Sequence, residues 1–172
     1  MKTSNKSKGI YIFLDLLFFV LLVILDQITK NLAVLYLKDK PAIVLWEGVF
    51  ELHYLENSGA AFGMLQNQKL LFVTIASIIL IIIGYLLIKL PRTKHYAALE
   101  VLLVLIASGA VGNMIDRVKY NYVVDFFYFK LIDFPIFNVA DIYVSVSCVL
   151  LAILIVFFYK DSDFDFLNKK KE

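Results

Sequence analysis

The sequence predicts an all-α polytopic membrane protein with four transmembrane helices, a small extracytoplasmic β-structure and an aromatic outer loop. Of its 172 residues, 61% are hydrophobic, against roughly 45 to 50% in an average soluble domain. A single domain of this length cannot bury that excess, so we expect lipid to cover it. Four segments are also long and apolar enough to cross the hydrocarbon core, which needs about 20 residues. We therefore expect one integral membrane domain, residues 1–172.

The four predicted spans differ in how many charges they contain. In chain order they cover about residues 9–32, 70–89, 96–116 and 141–160. The second has no charged residue between its flanking lysines, and the third has only Glu100 in its apolar stretch. The first contains Asp15, Asp26 and Lys30. We do not interpret it as a removable signal peptide, because no small-residue cleavage site follows it and three further spans do.

The distribution of Lys and Arg predicts the orientation of the spans, because cytoplasmic loops carry more of them. Ten lie near the termini and the loop between the second and third spans, against six in the longer loops of the opposite face. Both termini, including a solvated tail at 161–172, are therefore predicted to be cytoplasmic. The two long loops, about 33–68 and 117–137, are predicted to face outward.

The outer loops have their own patterns. Apolar and polar residues alternate near the end of 43–54, which predicts a small β-structure. Residues 120–137 contain eight aromatics. Aromatic residues gather at membrane interfaces, so this loop is either an interfacial anchor or a lid over a lipidic ligand.

Several acids are predicted to reach one depth near the outer surface. Asp26 and Asp116 lie toward the outer ends of their helices, and Asp141 lies at the outer start of the fourth. Asp125, in the second outer loop, can reach the same level. Ionisable residues within spans cost roughly 2.5 to 3.5 kcal/mol each on insertion scales, so their gathering indicates a functional site.

Polar and small residues surround these acids at helical spacing. Lys30 follows Asp26 by four residues and can pair with it. Asn113 and Arg117 lie on the third helix beside Asp116, and Asn138 can cap the fourth helix. Two glycines of the third helix permit close approach of another helix. They are Gly109 and Gly112.

Composition and residue types limit the possible chemistry. The formal charge of +2, without a basic stripe, argues against a nucleic-acid partner. The single cysteine excludes an internal disulfide framework and a Cys-rich zinc site. We expect no cofactor, and we disfavour a metal on Asp116, Asp125 and Asp141 because nearby cations offset the negative charge it needs.

Two carboxylates held close in a partly dry site can hydrolyse an amide. They cannot both ionise, so one retains a proton while the other activates water. Depth alone leaves Asp116 and Asp125 equally placed as the partner of Asp141. A small transporter or channel is an alternative, although its acids should extend through the membrane. A structural partner of another membrane complex is a third possibility.

Five short segments combine the polar residues described above with small and apolar neighbours. In order they are Asp26-Gln27-Ile28-Thr29-Lys30, Asn57-Ser58-Gly59-Ala60-Ala61-Phe62-Gly63, Gly109-Ala110-Val111-Gly112-Asn113-Met114-Ile115-Asp116-Arg117, Val123-Val124-Asp125-Phe126 and Phe137-Asn138-Val139-Ala140-Asp141. These segments resemble those of the lipoprotein signal peptidases, or signal peptidase II, which are bacterial membrane aspartyl peptidases. One such segment would be weak support, but five in order on four spans are specific.

The resemblance implies that Asp125 and Asp141 are the catalytic pair. It implies cleavage of prolipoproteins before a diacylglyceryl-modified cysteine, in the bacterial cytoplasmic membrane, with membrane lipid and globomycin-type inhibitors as further ligands. It gives Asp116 a structural role, in which we expect a pair with Arg117. The supporting or substrate-binding residues would be Asp26, Lys30, Asn57, Gly109, Asn113, Asp116, Arg117, Asn138 and Ala140.

Overall fold

A computed structural model of the chain describes residues 5–59 and 64–167, and within them four helices are long and apolar enough to span a membrane. The helices are α1 (Asn5–Leu37), α2 (Lys69–Lys89), α3 (Ala97–Tyr120) and α4 (Val139–Phe157), and the strands are β1 (Ile43–Trp46), β2 (Phe50–Asn57) and β3 (Val123–Tyr128). Short 3-10 turns cover Lys94–Tyr96, Lys130–Ile132 and Asp161–Leu167. The predicted fold class is confirmed.

Helix α3 is the centre of the bundle. It packs against α1, α2 and α4. Half of the residues in its most apolar 18-residue stretch are buried, against 6 to 11% of the residues in the corresponding stretches of the other three helices. The three outer helices therefore present apolar side chains outward, where a membrane would cover them. This arrangement accounts for the hydrophobic excess in the composition.

Two glycines of α3 allow the other helices to approach closely, as the sequence predicts. A Cβ at Gly109 would lie 2.5 Å from the carbonyl oxygen of Ala140, and a Cβ at Gly112 would collide with the carboxyl of Asp26. Small residues permit such backbone contacts in membrane bundles. The polar residues of α1, α3 and α4 are thereby brought together.

The predicted β-structure has a third strand that the sequence pattern did not reveal. The sheet is antiparallel in the order β1-β2-β3, and Leu52 in β2 pairs with Phe127 in β3. The first four residues of β3 are all buried. A strand buried on both faces shows no alternation of apolar and polar residues, so its period could not be recognised within the aromatic loop.

Three helices have boundaries that differ from the predicted ones. Helix α1 continues to Leu37 rather than to about 32, and α3 continues to Tyr120 rather than to about 116. The final turns of α1 persist because Ala33 and Leu37 pack against Val124 and Phe126 beneath the sheet. At α4, Asn138 caps the first turn, so the helix begins at Val139 and ends at Phe157 rather than covering 141–160.

The start of the tail is not simply a solvated end. Residues Asp161–Leu167 form a 3-10 turn, and Phe164 and Phe166 pack against a core cluster that includes Tyr159 and Leu99. The hydroxyl of Tyr96 also donates to the carbonyl of Asp163 at 2.7 Å. The remainder of the predicted tail, 168–172, lies outside the described residues.

Candidate active site

A cleft of about 220 Å³ opens at the sheet end of the bundle and contains both aspartates of the predicted pair. We call it the aspartate cleft. It is lined by Asn57, Gly59, Asn113, Arg117, Val123, Asp125, Phe134, Pro135, Ile136, Phe137, Asp141 and Ser145. Its walls therefore combine amides and carboxyls with an aromatic and aliphatic segment from the second outer loop.

Asp125 enters the cleft from β3 and is nearly completely buried, with 2% of its surface exposed. Its two carboxyl oxygens accept hydrogen bonds from Asn57 Nδ2 at 2.8 Å and Asn138 Nδ2 at 2.6 Å. Burial, with the nearby charge of Asp141 as the second cause, raises the pKa of Asp125 to about 7. The carboxyl therefore still holds a proton in a large share of molecules near neutral pH.

Asp141 occupies the first turn of α4, where it completes a capping box with Asn138. Its Oδ2 accepts from the backbone N–H of Asn138 at 3.0 Å, and its Oδ1 accepts from Asn113 Nδ2 at 2.8 Å. Donors to both oxygens and the positive end of the helix dipole favour a negative charge here. The two aspartates thus have opposite surroundings.

Two asparagines link the aspartates to each other. Asn138 Nδ2 donates to Asp125 and also to Asn113 Oδ1, at 3.1 Å, while Asn113 Nδ2 donates to Asp141. Lys30 Nζ donates to the same Asn113 oxygen at 2.8 Å. Since that oxygen has two donors, the amide is held with its nitrogen toward Asp141.

A buried ion cluster supports this network from α1. Lys30, 2% exposed, lies 3.0 Å from Asp26 Oδ2 and 3.2 Å from Asp116 Oδ2. Asp26 Oδ1 accepts from the backbone N–H of Ala140 at 3.0 Å, which ties α1 to the start of α4. The predicted Asp26 and Lys30 pair is therefore present, and it is part of a larger cluster.

The expected pair of Asp116 with Arg117 is wrong. Asp116 instead contacts Lys30, and it accepts from Gln27 Nε2 at 3.0 Å and from the backbone N–H of Val124 at 3.1 Å. Adjacent residues of a helix do not face each other, so a direct pair is disfavoured by geometry. Asp116 joins α3 to α1 and β3, and its carboxyl does not line the aspartate cleft.

Arg117 extends over the far wall of the cleft. Its guanidinium donates to the carbonyl of Gly59 at 2.9 Å and lies 4.5 Å from the ring centroid of Phe72. These contacts hold the beginning of the loop that follows β2. Residues 60–63 of the resembling segment lie outside the described residues.

Sequence reasoning overlooked two supporting side chains. Gln27 bridges Asp26 and Asp116 with its amide nitrogen, and its place beside Asp26 in the first resembling segment could have revealed it. Phe72 gave no signal, because it is one apolar residue among many in α2. Only the contact with Arg117 distinguishes it.

A side-chain cation contacts two of the buried carboxyls beside the site. Within the described ranges, no group of three or more His, Cys, Asp or Glu is placed to hold a metal ion. The Nζ of Lys30 lies between Asp26 and Asp116, where its one positive charge offsets part of the negative charge of the two buried carboxylates.

Four helices able to span a membrane, together with two aspartates in one cleft whose surroundings differ, are the features of membrane-embedded aspartic peptidases. Comparison with known proteins agrees with this class. The family profile of signal peptidase (SPase) II matches residues 18–157. The chain belongs to the signal peptidase II family, whose members remove signal peptides from prolipoproteins.

Individual relatives give the same result. A lipoprotein signal peptidase of Caldanaerobacter subterraneus subsp. tengcongensis is 46% identical over 136 residues, covering 78% of this chain and 90% of the relative. One from Clostridioides difficile is 38% identical and covers 87% and 99%, respectively. A bacterial membrane enzyme solved by the in meso method at 2.3 Å resolution superposes with a TM-score of 0.77, at 32% identity and 94% coverage of both chains.

Proposed function

We propose that this chain removes the signal peptide of prolipoproteins by cutting before a diacylglyceryl-modified cysteine, with Asp125 and Asp141 as the catalytic pair. The observation that carries the proposal is the contrast between the two carboxyls. Asp125 is buried with a pKa raised to about 7, whereas Asp141 receives hydrogen bonds on both oxygens at a helix N-terminus. Environments that separate two carboxyls in this way assign acid and base roles.

The reaction needs only these two groups and water. Asp141 takes a proton from water as the water oxygen attacks the peptide carbonyl, and Asp125 gives its proton to the carbonyl oxygen. The resulting diol then collapses. Asp125 recovers its proton from a hydroxyl, and Asp141 gives the water-derived proton to the leaving amine as the C–N bond breaks.

The supporting residues have separate roles in this scheme. Asn57 and Asn138 hold Asp125, and Asn113 holds Asp141. The buried ion cluster next to these asparagines comprises Lys30, Asp26 and Asp116, and Asp26 also binds the backbone of Ala140. Gly109 provides the space for α4. Arg117 holds the loop through the carbonyl of Gly59.

The apolar wall of the cleft suits a lipidated substrate. Phe134, Ile136 and Phe137 line it beside the two carboxyls, and Phe134 is among the exposed large hydrophobic residues. A cysteine carrying two acyl chains would place them against this wall and the surrounding membrane lipid. A globomycin-type inhibitor is expected to occupy the same cleft.

Cleavage of a lipidated prolipoprotein peptide by the detergent-purified chain tests the assignment. Asp125→Asn and Asp141→Asn should each lose nearly all activity with expression retained. Asp133→Asn is the matched control, because Asp133 is an exposed acid of the same outer loop and does not line the cleft. Near-normal turnover in either cleft variant contradicts the pair, and activity that disappears with a chelator favours a metal.

We further propose that residues 1–172 form one domain in the bacterial cytoplasmic membrane, with both termini cytoplasmic and the aspartate cleft near the opposite face. The excess of Lys and Arg near the termini supports this orientation. Single cysteines in the tail and in the loop 33–68 should label from opposite sides of the membrane. A Cys148→Ser background is needed because Cys148 is exposed; labelling of both positions from one side contradicts the orientation.

A further inference from the structure

A second polar cluster lies at the end of the bundle away from the aspartate cleft. Arg92, which follows α2, contacts Asp15 Oδ2 at 2.6 Å through Nη1 and contacts Glu100 through the same nitrogen. These side chains are only 4%, 18% and 14% exposed, respectively. Asp15 precedes Asp26 by 11 residues on α1, or about 16 Å along the helix, so the cluster cannot take part in the peptidase reaction.

The charges and bonds of this cluster are incomplete. One guanidinium serves two carboxylates, so the three side chains together carry an uncompensated negative charge when both acids are ionised. Arg92 Nε is buried and has no hydrogen-bond partner among the described residues. An unsatisfied buried donor is costly, and the excess carboxylate charge of the cluster can attract a cation.

A cavity of about 400 Å³ opens beside the cluster and is bounded by Arg92, Asp15, Glu100 and the exposed Lys94. We call it the Arg92 cavity. A second hollow of about 590 Å³, the apolar trough, runs between α3 and α4 and includes Leu102 and Leu150. The two share Ala97 and Val101 in their walls. A charged compartment thus adjoins an apolar one, as the two parts of an amphiphile require.

The Arg92 cavity lies on the opposite side of α3 from the aspartate cleft. Val104 lines the cavity and Asn113 lines the cleft. They are nine residues apart, which is half a revolution out of phase at about 3.6 residues per turn. A ligand in the cavity would therefore not compete directly with a substrate in the cleft.

We propose that the Arg92 cavity and the apolar trough bind one aminophospholipid from the leaflet on the side of the chain termini. The lipid ammonium contacts Asp15 and Glu100, and the phosphate contacts Lys94. One acyl chain lies in the apolar trough. The assignment follows from charge complementarity, because an ethanolamine headgroup has both a phosphate and an N–H-bearing cation. Choline lacks the N–H donors, and phosphatidylglycerol lacks the cation.

Native mass spectrometry of the full chain in detergent tests this assignment. The protein is exposed to equal amounts of palmitoyl-oleoyl phosphatidylethanolamine, phosphatidylcholine and phosphatidylglycerol. We expect one retained phosphatidylethanolamine per chain, preferred about tenfold over the other two, since one charge-assisted contact contributes about that factor. Equal retention of the three lipids, or a preference for phosphatidylglycerol, would overturn the proposal.

Two variants and a matched control separate headgroup recognition from folding. Asp15→Asn leaves Glu100 to pair with Arg92 and should reduce the headgroup preference about tenfold, whereas Asp165→Asn, an exposed acid of the tail, should not change it. Ala97→Leu adds a larger side chain where the Arg92 cavity meets the apolar trough and leaves the charged residues unchanged. It should weaken retention of the bound lipid. Unchanged preference in Asp15→Asn overturns the assignment. Displacement of bound lipid by a soluble Lys-rich peptide, without any headgroup preference, would instead identify a peptide site.

Discussion

Lys30 Nζ lies 2.8 Å from Asn113 Oδ1 and thereby determines which end of that amide faces Asp141. Lys30 is at the same time the counter-ion of two buried carboxylates. One side chain on α1 thus offsets negative charge next to the site and fixes the orientation of a donor within it.

Replacing this lysine should therefore impair stability and activity together. Lys30→Met leaves Asp26 and Asp116 without a cation, and breaking such a buried pair costs about 3 to 5 kcal/mol of unfolding free energy. We expect turnover to fall about 100-fold through misplacement of Asn113. Thermal unfolding and peptide cleavage measure the two effects. Lys38→Met breaks an exposed pair with Glu56 and a contact with the ring of Tyr54, and it should cost less than about 1 kcal/mol. Equal losses in both variants contradict the role given to Lys30.

The pH dependence of turnover should report the protonation of Asp125. Because its pKa is raised to about 7 and the proposed reaction requires its proton, activity should decrease as pH rises above about 7. Asn138→Ala and Asn57→Ala each remove a donor that stabilises the carboxylate, so each should move this decrease to higher pH.

Comparison of the two asparagine variants distinguishes the helix cap from the hydrogen bond to Asp125. Only Asn138→Ala also removes the cap of α4, which costs about 1 kcal/mol. Profiles of kcat against pH and thermal unfolding provide the two readouts. A profile that moves to lower pH in both variants would exclude Asp125 as the group that must retain its proton.

Stability should also depend on pH through Asp125. Its carboxyl titrates near pH 4 in an unfolded chain but near 7 when folded, so the folded state binds more protons between these values. The contribution of this group to stability is therefore fully present below about pH 4 and is lost as pH rises through about 7. Asp125→Asn removes the titration. The stability of this variant minus that of the original chain should therefore be greater at pH 8 than at pH 5. Thermal unfolding of both proteins at the two pH values measures this difference.

Close packing at Gly112 should make that position intolerant of even one methyl group. In Gly112→Ala the added carbon meets the Asp26 carboxyl, and overpacking of this kind typically costs about 1 to 3 kcal/mol. Gly84→Ala is the matched control, since nothing lies within 4 Å of its added carbon and Ala is the better helix former. Thermal unfolding of the two variants should give opposite signs; equal unfolding temperatures would show that α1 can move away from α3.

Much of the site could be predicted from the sequence because ionisable residues are costly within membrane spans and are therefore rare there. Asp26, Lys30, Asn113 and Asn138 were recognisable from helical spacing and depth, and all four meet in one network. Asp125 could be chosen over Asp116 only through the family resemblance. Asp125 is placed in the site by β3, and the sequence did not reveal this strand because its buried residues do not alternate between apolar and polar.

The remaining contacts are tertiary and leave no local signal. Asp116 pairs with a lysine of α1 and a backbone N–H of β3, so its neighbour in sequence was a poor guide. The extension of α1 to Leu37 likewise results from packing under a sheet, which composition alone could not indicate. The Arg92 cluster joins three separate segments of chain, none of which is distinctive by itself.

The two aspartates reach the cleft on different supports. Asp125 is carried by a sheet seated on the end of α1, and Asp141 is carried by α4, which is seated on α3. The hydrogen bond from Ala140 to Asp26 directly joins these supports. Membrane helices change their tilt with the thickness of the bilayer. A tilt of α1 relative to α4 would change the distance between the two carboxyls, so we expect the geometry of the site to depend on bilayer thickness.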